Sequence, residues 1–332
     1  MTEALRYGKP SGKTVKYLEK YFTSPFRTGY VTCGETVLPE KFTRFGDLIR
    51  EMNIRSDDTW VFSFPRTGTT WTQEMVWCIA NNVDLMAAEK LLLKRFPFLD
   101  FSVMIDIEHL LKNCETTTSD ILKNSFEFVV NLASPRFIKS HLPFQLLPKD
   151  LLQSQAKIIY VTRNPRDTCI SYFHHCRKYQ GYSGDFEQFC ELFLEGNVPF
   201  GPFWNHVQSY WEMRNEPNVL ILKYEDMIKD LKAVIYKTAN FLEKSLSEEQ
   251  VTKLLDHLSF KKMKENPATN EEFRDNFLKK YGVLPENYEG FIRSGKVGGW
   301  KEVMDAKMVQ RFEEWELNNL KNAEESLVKF FE

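Results

Sequence analysis

The stretch Ile138-Lys139-Ser140-His141-Leu142-Pro143 sets a cation and an imidazole two residues apart at the end of a short apolar run. In extended backbone, residues i and i+2 face the same side, so Lys139 and His141 reach one cavity. An imidazole titrating near neutral pH is a natural general base, and an ammonium beside it can stabilise negative charge. A second stretch, from Trp60 to Trp71, reads Trp-Val-Phe-Ser-Phe-Pro-Arg-Thr-Gly-Thr-Thr-Trp. Its apolar half predicts a strand over Trp60–Phe64, Pro65 and Gly68 predict a turn, and a helix follows over Thr69–Ala80. A strand turning tightly into a helix aims free backbone N–H groups and the positive end of the helix dipole at one point. With Arg66 and the hydroxyls of Thr67, Thr69 and Thr70 around it, that point suits a phosphate-like anion.

The nucleotide triphosphatase P-loop, Gly-x-x-x-x-Gly-Lys-Ser/Thr, is not what stands here. Only Gly68 is present, the cation precedes it, and no Gly-Lys-Ser/Thr occurs in the chain. Two further stretches favour anions. Val161 to Tyr172 reads as strand, turn and helix, with Arg163 at the strand end and Ser171 about two helical turns on. Arg163 could grip a second phosphate with its planar fork or form a local salt bridge to Asp167. Phe291 to Lys301 combines three glycines with several cations, as a backbone clamp over an anion would. One ligand with two phosphate-like groups accounts for all of these together. His174, His175 and Cys176 are consecutive on a helix, point in divergent directions, and read as structural rather than metal-ligating.

The elements that must position these groups alternate. Strands are expected at Trp60–Phe64, Arg136–Ile138, Lys157–Thr162 and Asn218–Leu222, and helices at Thr69–Ala80, Pro165–Tyr179, Phe203–Asn215 and Glu225–Phe241. Such alternation implies crossovers and an α/β fold with a central, mainly parallel sheet flanked by helices. Ligands on such sheets bind beyond the carboxyl ends of the strands, where Arg66, Lys139, His141 and Arg163 fall. The 332 residues are read as one domain, with residues 1–29 as an N-terminal extension contributing partly to the acceptor site. Lys261–Glu286 is polar and irregular, so residues 261–290 are taken as a mobile loop within that domain.

With 44 basic against 46 acidic residues, nothing indicates general affinity for nucleic acid or an anionic membrane. The cysteines at 33, 78, 114, 169, 176 and 190 lack Cys-x-x-Cys spacing and read as core thiols of a reducing compartment. Neither a signal peptide nor an apolar run of about 18 residues is seen, so a soluble, cytoplasmic protein is expected.

Along roughly residues 30–315 the chain resembles the cytosolic sulfotransferases, which move a sulfonate group from 3′-phosphoadenosine 5′-phosphosulfate (PAPS) to a small molecule. The family's Tyr-Pro-Lys-Ser-Gly-Thr-Thr-Trp appears as Phe64-Pro-Arg-Thr-Gly-Thr-Thr-Trp71, and its Lys-Ser-His-Leu-Pro is intact at Lys139 to Pro143. Its Arg-Asn-x-x-Asp-x-x-x-Ser-Tyr is intact from Arg163 to Tyr172, and its Tyr-Glu-Asp-Met from Tyr224 to Met227. Its Arg-Lys-Gly-x-x-Gly-Asp-Trp-Lys appears from Arg293 to Lys301. The long N-terminal segment and the Val31–Pro39 region look most like arthropod members.

The resemblance implies that a P-loop-like strand–loop–helix with Arg66, Thr67, Gly68, Thr69 and Thr70 holds the 5′-phosphosulfate. Arg163, Ser171, Arg293, Ser294 and Gly295 would hold the 3′-phosphate. Trp71, Tyr224 and Phe260 would surround the adenine, with Ser259 and Met263 nearby. His141 would be the base, with Lys139 and Arg66 as catalytic cations, and Phe98 and Phe200 would wall an acceptor pocket beside it. Product nucleotide PAP, no metal, and a small apolar acceptor with a hydroxyl or amine (a phenol, steroid or retinoid) are implied. Departures are Arg66 for Lys, Ser294 for the second cation, Gly299 for Asp, and Leu258 for a Thr. The family's homodimer signature should fall at Lys301–Gln310, where only Lys301 fits. Two alternatives stand beside the sulfotransferase. One is a retinol dehydratase-like enzyme working through a transient sulfate ester, and the other is a silent nucleotide- or lipid-binding relative.

Overall fold

The computed structural model describes residues 4–23, 27–106, 123–280, 284 and 290–332. Cys114 and parts of the 1–29 and 261–290 segments lie outside the described residues. A small antiparallel sheet comes first, ordered β1 (Tyr7–Gly8), β2 (Tyr30–Cys33) and β3 (Thr36–Pro39). The central sheet holds β4 (Thr59–Phe62), β5 (Phe137–Ser140), β6 (Lys157–Thr162) and β7 (Val219–Lys223). Its order is β5-β4-β6-β7 and every pairing is parallel.

Parallel strands joined by crossovers are covered on both faces and read as continuous apolar runs. The alternation of side chains then sorts each run into two cores. Trp60, Phe62, Ile158, Tyr160, Val219 and Ile221 join one cluster, while Val61, Ile159, Val161, Leu220 and Leu222 join the other. The helix α1 (Thr69–Ala80) supplies Met75, Val76 and Ile79 to the second cluster. The helices α2 (Pro165–Tyr179) and α3 (Phe203–Trp211) supply Ile170, Tyr172, Phe203 and Val207 to the first.

Both α1 and α2 match their expected bounds because each has a strong start. Gly68 opens α1 from a left-handed conformation. Asn164 caps α2 by accepting from Arg166 N and Asp167 N ahead of Pro165. Several expectations are corrected: β4 ends at Phe62 rather than Phe64, and β7 runs one residue later than expected. Strand β5 begins and ends later than expected, so Lys139 lies within it and only His141 follows it. The helix expected over Phe203–Asn215 stops at Trp211. The stretch expected as one helix over Glu225–Phe241 is two, α4 (Tyr224–Lys229) and α5 (Leu231–Phe241). They break at Asp230, whose carboxylate accepts from Ala233 N at 3.0 Å and starts the second helix. The segment expected to be irregular carries α6 (Phe260–Glu265) and α7 (Glu272–Lys280), and α7 is tied down where Asp275 pairs with Lys178 at 2.8 Å. A further helix, α8 (Ala306–Leu320), starts at Asp305. The five described cysteines are buried and free, and no described helix is long and apolar enough to cross a membrane.

Candidate active site

A cavity of about 370 Å³ opens beyond the carboxyl ends of the central strands. The turn from β4 into α1 forms its floor. Arg66 and Gly68 both have positive φ, 73° and 106°, a conformation costing a non-glycine residue roughly 1–2 kcal/mol. A Cβ on Gly68 would meet the Tyr224 ring at 2.7 Å, so the glycine permits both the bend and the close packing. Gly68, Thr69, Thr70 and Trp71 border the cavity. Thr67 does not: its hydroxyl lies against the carbonyls of Phe64 and Val161, at 2.8 and 3.0 Å, and braces the turn from behind. The expectation that this hydroxyl faces an anion is corrected, because the bend turns it inward.

Arg66 reaches along the cavity, its Nε donating to Ser171 Oγ and its Nη2 to the Phe291 carbonyl, both at 3.3 Å. Burial lowers its pKa to about 10, with Arg274, Arg163 and Arg293 adding repulsion. Lys139, also facing the cavity, is lowered by burial to about 8. Cations so desolvated and crowded are suited to receive an anion.

His141 lines the same cavity. Its Nδ1 lies 2.8 Å from the Ser63 carbonyl oxygen, so Nδ1 carries the proton and Nε2 keeps the lone pair. Its backbone N–H donates to Asp100 Oδ2 at 3.2 Å, and His206 Nε2 donates to its carbonyl at 2.9 Å. His206 stays neutral because burial lowers its pKa to about 4. Burial first, then the charge of Lys139, holds His141 well below the usual imidazole range. Ser63, Asp100 and His206 escaped the sequence reading; only the place of Ser63 beside a strand end could have flagged one of them.

At the other end, Arg163 stacks 4.5 Å from the Tyr224 ring centroid and donates from Nη2 to the Lys296 carbonyl at 2.6 Å. Its Nε is buried without a partner. The local pair weighed from sequence exists at a loose 3.7 Å, because Asp167 mainly accepts from Gly298 N and Trp300 N, at 2.7 and 3.1 Å. Asp167 thereby anchors the glycine clamp, a role the spacing did not reveal. Arg293, Ser294 and Gly295 complete this end, and a Cβ on Gly295 would meet Phe260 at 2.6 Å. Ser171 Oγ accepts from Arg66 Nε and lines the same cavity as Arg163. Between the ends, Trp71 and Tyr224 meet edge to face at 5.7 Å, with Ser259, Phe260 and Met263 on the adjoining wall.

Phe98 and Phe200 flank His141 edge to face, with centroids at 5.0 and 5.6 Å. Phe98 is held there because Lys139 N donates to the Pro97 carbonyl and Leu99 N to the Lys139 carbonyl, extending the sheet edge. Phe101, Met104 and Ile105 continue this apolar wall. His175, read as structural, also borders the cavity, its Nδ1 buried without a partner. Glu74, Cys78 and His257 bring possible metal-ligating atoms within 4.8 Å of one another outside the cavity lining. There Arg95 already holds the other Glu74 oxygen at 2.5 Å.

The residues fit an adenosine carrying two anionic ends: cations at either end, with the Arg163 Nε orphaned at one of them, an aromatic pair between, and a glycine cradle beneath. Comparison with known proteins agrees. The sulfotransferase domain model matches residues 56–324. Luciferin sulfotransferase of Photinus pyralis is 42% identical over 302 residues, covering 90% of this chain and 81% of its own. Human sulfotransferase 1E1 is 32% identical, with 87% and 91% covered. Retinol dehydratase in complex with androsterone and the inactive cofactor PAP superposes with a TM-score of 0.86 at 32% identity, covering 97% of this chain and 98% of its own.

Proposed function

The chain belongs to the sulfotransferase family and is a PAPS-dependent sulfotransferase acting on small molecules, and from that premise we propose that His141 is its general base. The single observation carrying this assignment is the bond from Nδ1 to the Ser63 carbonyl, which leaves the Nε2 lone pair available in a cavity-lining ring.

The bound donor supplies an activated sulfonate group. Arg66, the N–H groups of residues 67–70 and the start of α1 hold its phosphosulfate end, and Arg163, Ser171, Arg293, Ser294 and Gly295 hold the 3′-phosphate. Trp71, Tyr224 and Phe260 enclose the adenine, with Ser259 and Met263 closing the wall. His141 Nε2 would take the proton from the acceptor hydroxyl or amine as its oxygen or nitrogen bonds to the sulfonate sulfur and the sulfur–oxygen bond to the 5′-phosphate breaks, leaving PAP. Such a positioned base contributes about 10²–10⁴-fold. Lys139 and Arg66 stabilise the charge that builds up during transfer, and preorganised cations and N–H groups take the part Mg²⁺ plays in phosphoryl transfer. Phe98 and Phe200 hold an apolar acceptor against the imidazole and exclude water, which suits a phenol, steroid or retinoid. Residues 1–29 add to this wall through Arg27, which borders the cavity.

His141→Ala should reduce transfer to a phenol panel by at least 10²-fold while PAP binding, read by calorimetry, stays within a few-fold. Turnover at the native rate would remove His141 from the role. A second reading is favoured by the likeness to retinol dehydratase: an allylic alcohol sulfated here would lose sulfate together with a proton from its conjugated chain, giving a further double bond. Product analysis with retinol separates the two.

A further inference from the structure

Among the described residues, the cavity wall carries six cations (Arg27, Arg66, Lys139, Arg163, Arg274 and Arg293) and one carboxylate, Glu271. Glu271 lies 3.6 Å from Arg274 and balances that charge. Arg66, Lys139, Arg163 and Arg293 answer to the donor, whose phosphate monoester alone brings about −1.5 to −2. Arg27 remains. Its Nε donates to the Met104 carbonyl at 3.1 Å, and its Nη1 to Tyr30 Oη at 2.6 Å and Gln180 Oε1 at 3.0 Å. All three acceptors are neutral, and no described carboxylate pairs with this half-buried guanidinium.

Its position gives the charge a use. From His141 the apolar wall runs through Phe98 (5.0 Å) and Phe101 (6.0 Å from Phe98) to Met104, whose carbonyl Arg27 grips. The acceptor compartment therefore has a base at one end, apolar surface along its length, and at the other a cation that no described carboxylate balances. A guanidinium matches a carboxylate in shape and binds it by charge-assisted hydrogen bonds.

Resting on the reading of this cavity as a sulfotransferase site, we propose that the acceptor is an amphiphilic hydroxy acid. Its hydroxyl meets His141 Nε2, its apolar body lies along Phe98, Phe101 and Met104, and its carboxylate is met by Arg27. The test uses 6-hydroxy-2-naphthoate, its methyl ester and 2-naphthol as acceptors. The wild-type enzyme should favour the acid over the ester by at least fivefold in kcat/KM. In Arg27→Gln that acid-to-ester ratio should fall at least tenfold, the effect of one charge-assisted bond, and Arg27→Lys should restore part of it. A ratio that favours the ester in the wild type, or is unchanged in Arg27→Gln, overturns the proposal while transfer to 2-naphthol leaves the sulfotransferase reading standing. Absence of transfer to all three overturns both.

Discussion

At the residue scale, catalysis depends on keeping a base unprotonated among cations. Burial and the charges of Lys139 and Arg66 hold His141 neutral, so it loses some basicity but is in its working form throughout the physiological range. Of the cavity-lining groups with a displaced pKa, Lys139 is the one whose charge changes near that range. Burial lowers it to about 8, so its ammonium form is present below that pH and lost above it. In the free enzyme kcat/KM reports these ionisations. We expect kcat/KM for the donor to hold steady down to about pH 6.5 and to fall as pH rises through 8. Replacing the ammonium by a guanidinium, in Lys139→Arg, should move that alkaline limb up by at least one unit because Arg ionises far higher. A limb that stays at 8 in the variant would assign it to another group.

At the element scale, the strand–turn–helix that carries Arg66 is shaped by a contact between distant segments. Gly68 needs both a left-handed φ of 106° and the absence of a Cβ against Tyr224, whereas Gly298 has φ of 78° with nothing within 4 Å of its Cβ position. The pair separates strain from crowding. Gly298→Ala should cost about 1–2 kcal/mol in stability, the conformational penalty alone. Gly68→Ala should cost more and should weaken PAP binding at least tenfold, since the Tyr224 ring beside Arg163 has to move. Denaturant melts and calorimetry on the two variants provide the comparison, and equal losses would mean that Tyr224 yields without consequence. The clamp from Phe291 to Trp300 is likewise held by cross-molecule bonds, to Arg66, Arg163 and Asp167. The altered residues Ser294 and Gly299 therefore leave it anchored by backbone groups.

Across the whole molecule, stability and function are sited at opposite ends of the central sheet. At the amino ends, Arg136 Nε and Nη2 grip Asp58 Oδ1 and Oδ2 at 2.8 and 2.5 Å, joining β5 to β4 with side chains 2% and 0% exposed. Removing one partner of a buried pair leaves an uncompensated charge, costing about 3–5 kcal/mol. For a chain of 332 residues, Asp58→Ala should lower Tm by about 4–7 °C. PAP affinity should remain within twofold, because the donor site lies beyond the carboxyl ends. A thermal shift series with and without PAP measures both, and loss of affinity at permissive temperature would show the two ends to be coupled. At the surface, the position of the family dimer signature is occupied by the start of α8, where Asp305 accepts from Met308 N at 2.7 Å.

The order of the motifs, the strand-end cations and the bounds of α1 and α2 were legible in the chain itself, because alternation, capping and turn chemistry act between residues a few positions apart. That Lys139 and His141 share a face followed from strand geometry alone. Tertiary structure decided what depends on partners far along the chain. The tautomer of His141 is set by Ser63, 78 residues away. The inward turn of Thr67 is shared with Val161, 94 residues away, and Arg27 meets the acceptor wall at Met104, 77 residues away. Hydrogen-bond direction and side-chain orientation are properties of neighbours in space, and a parallel sheet assembles its neighbours from segments that no local spacing connects.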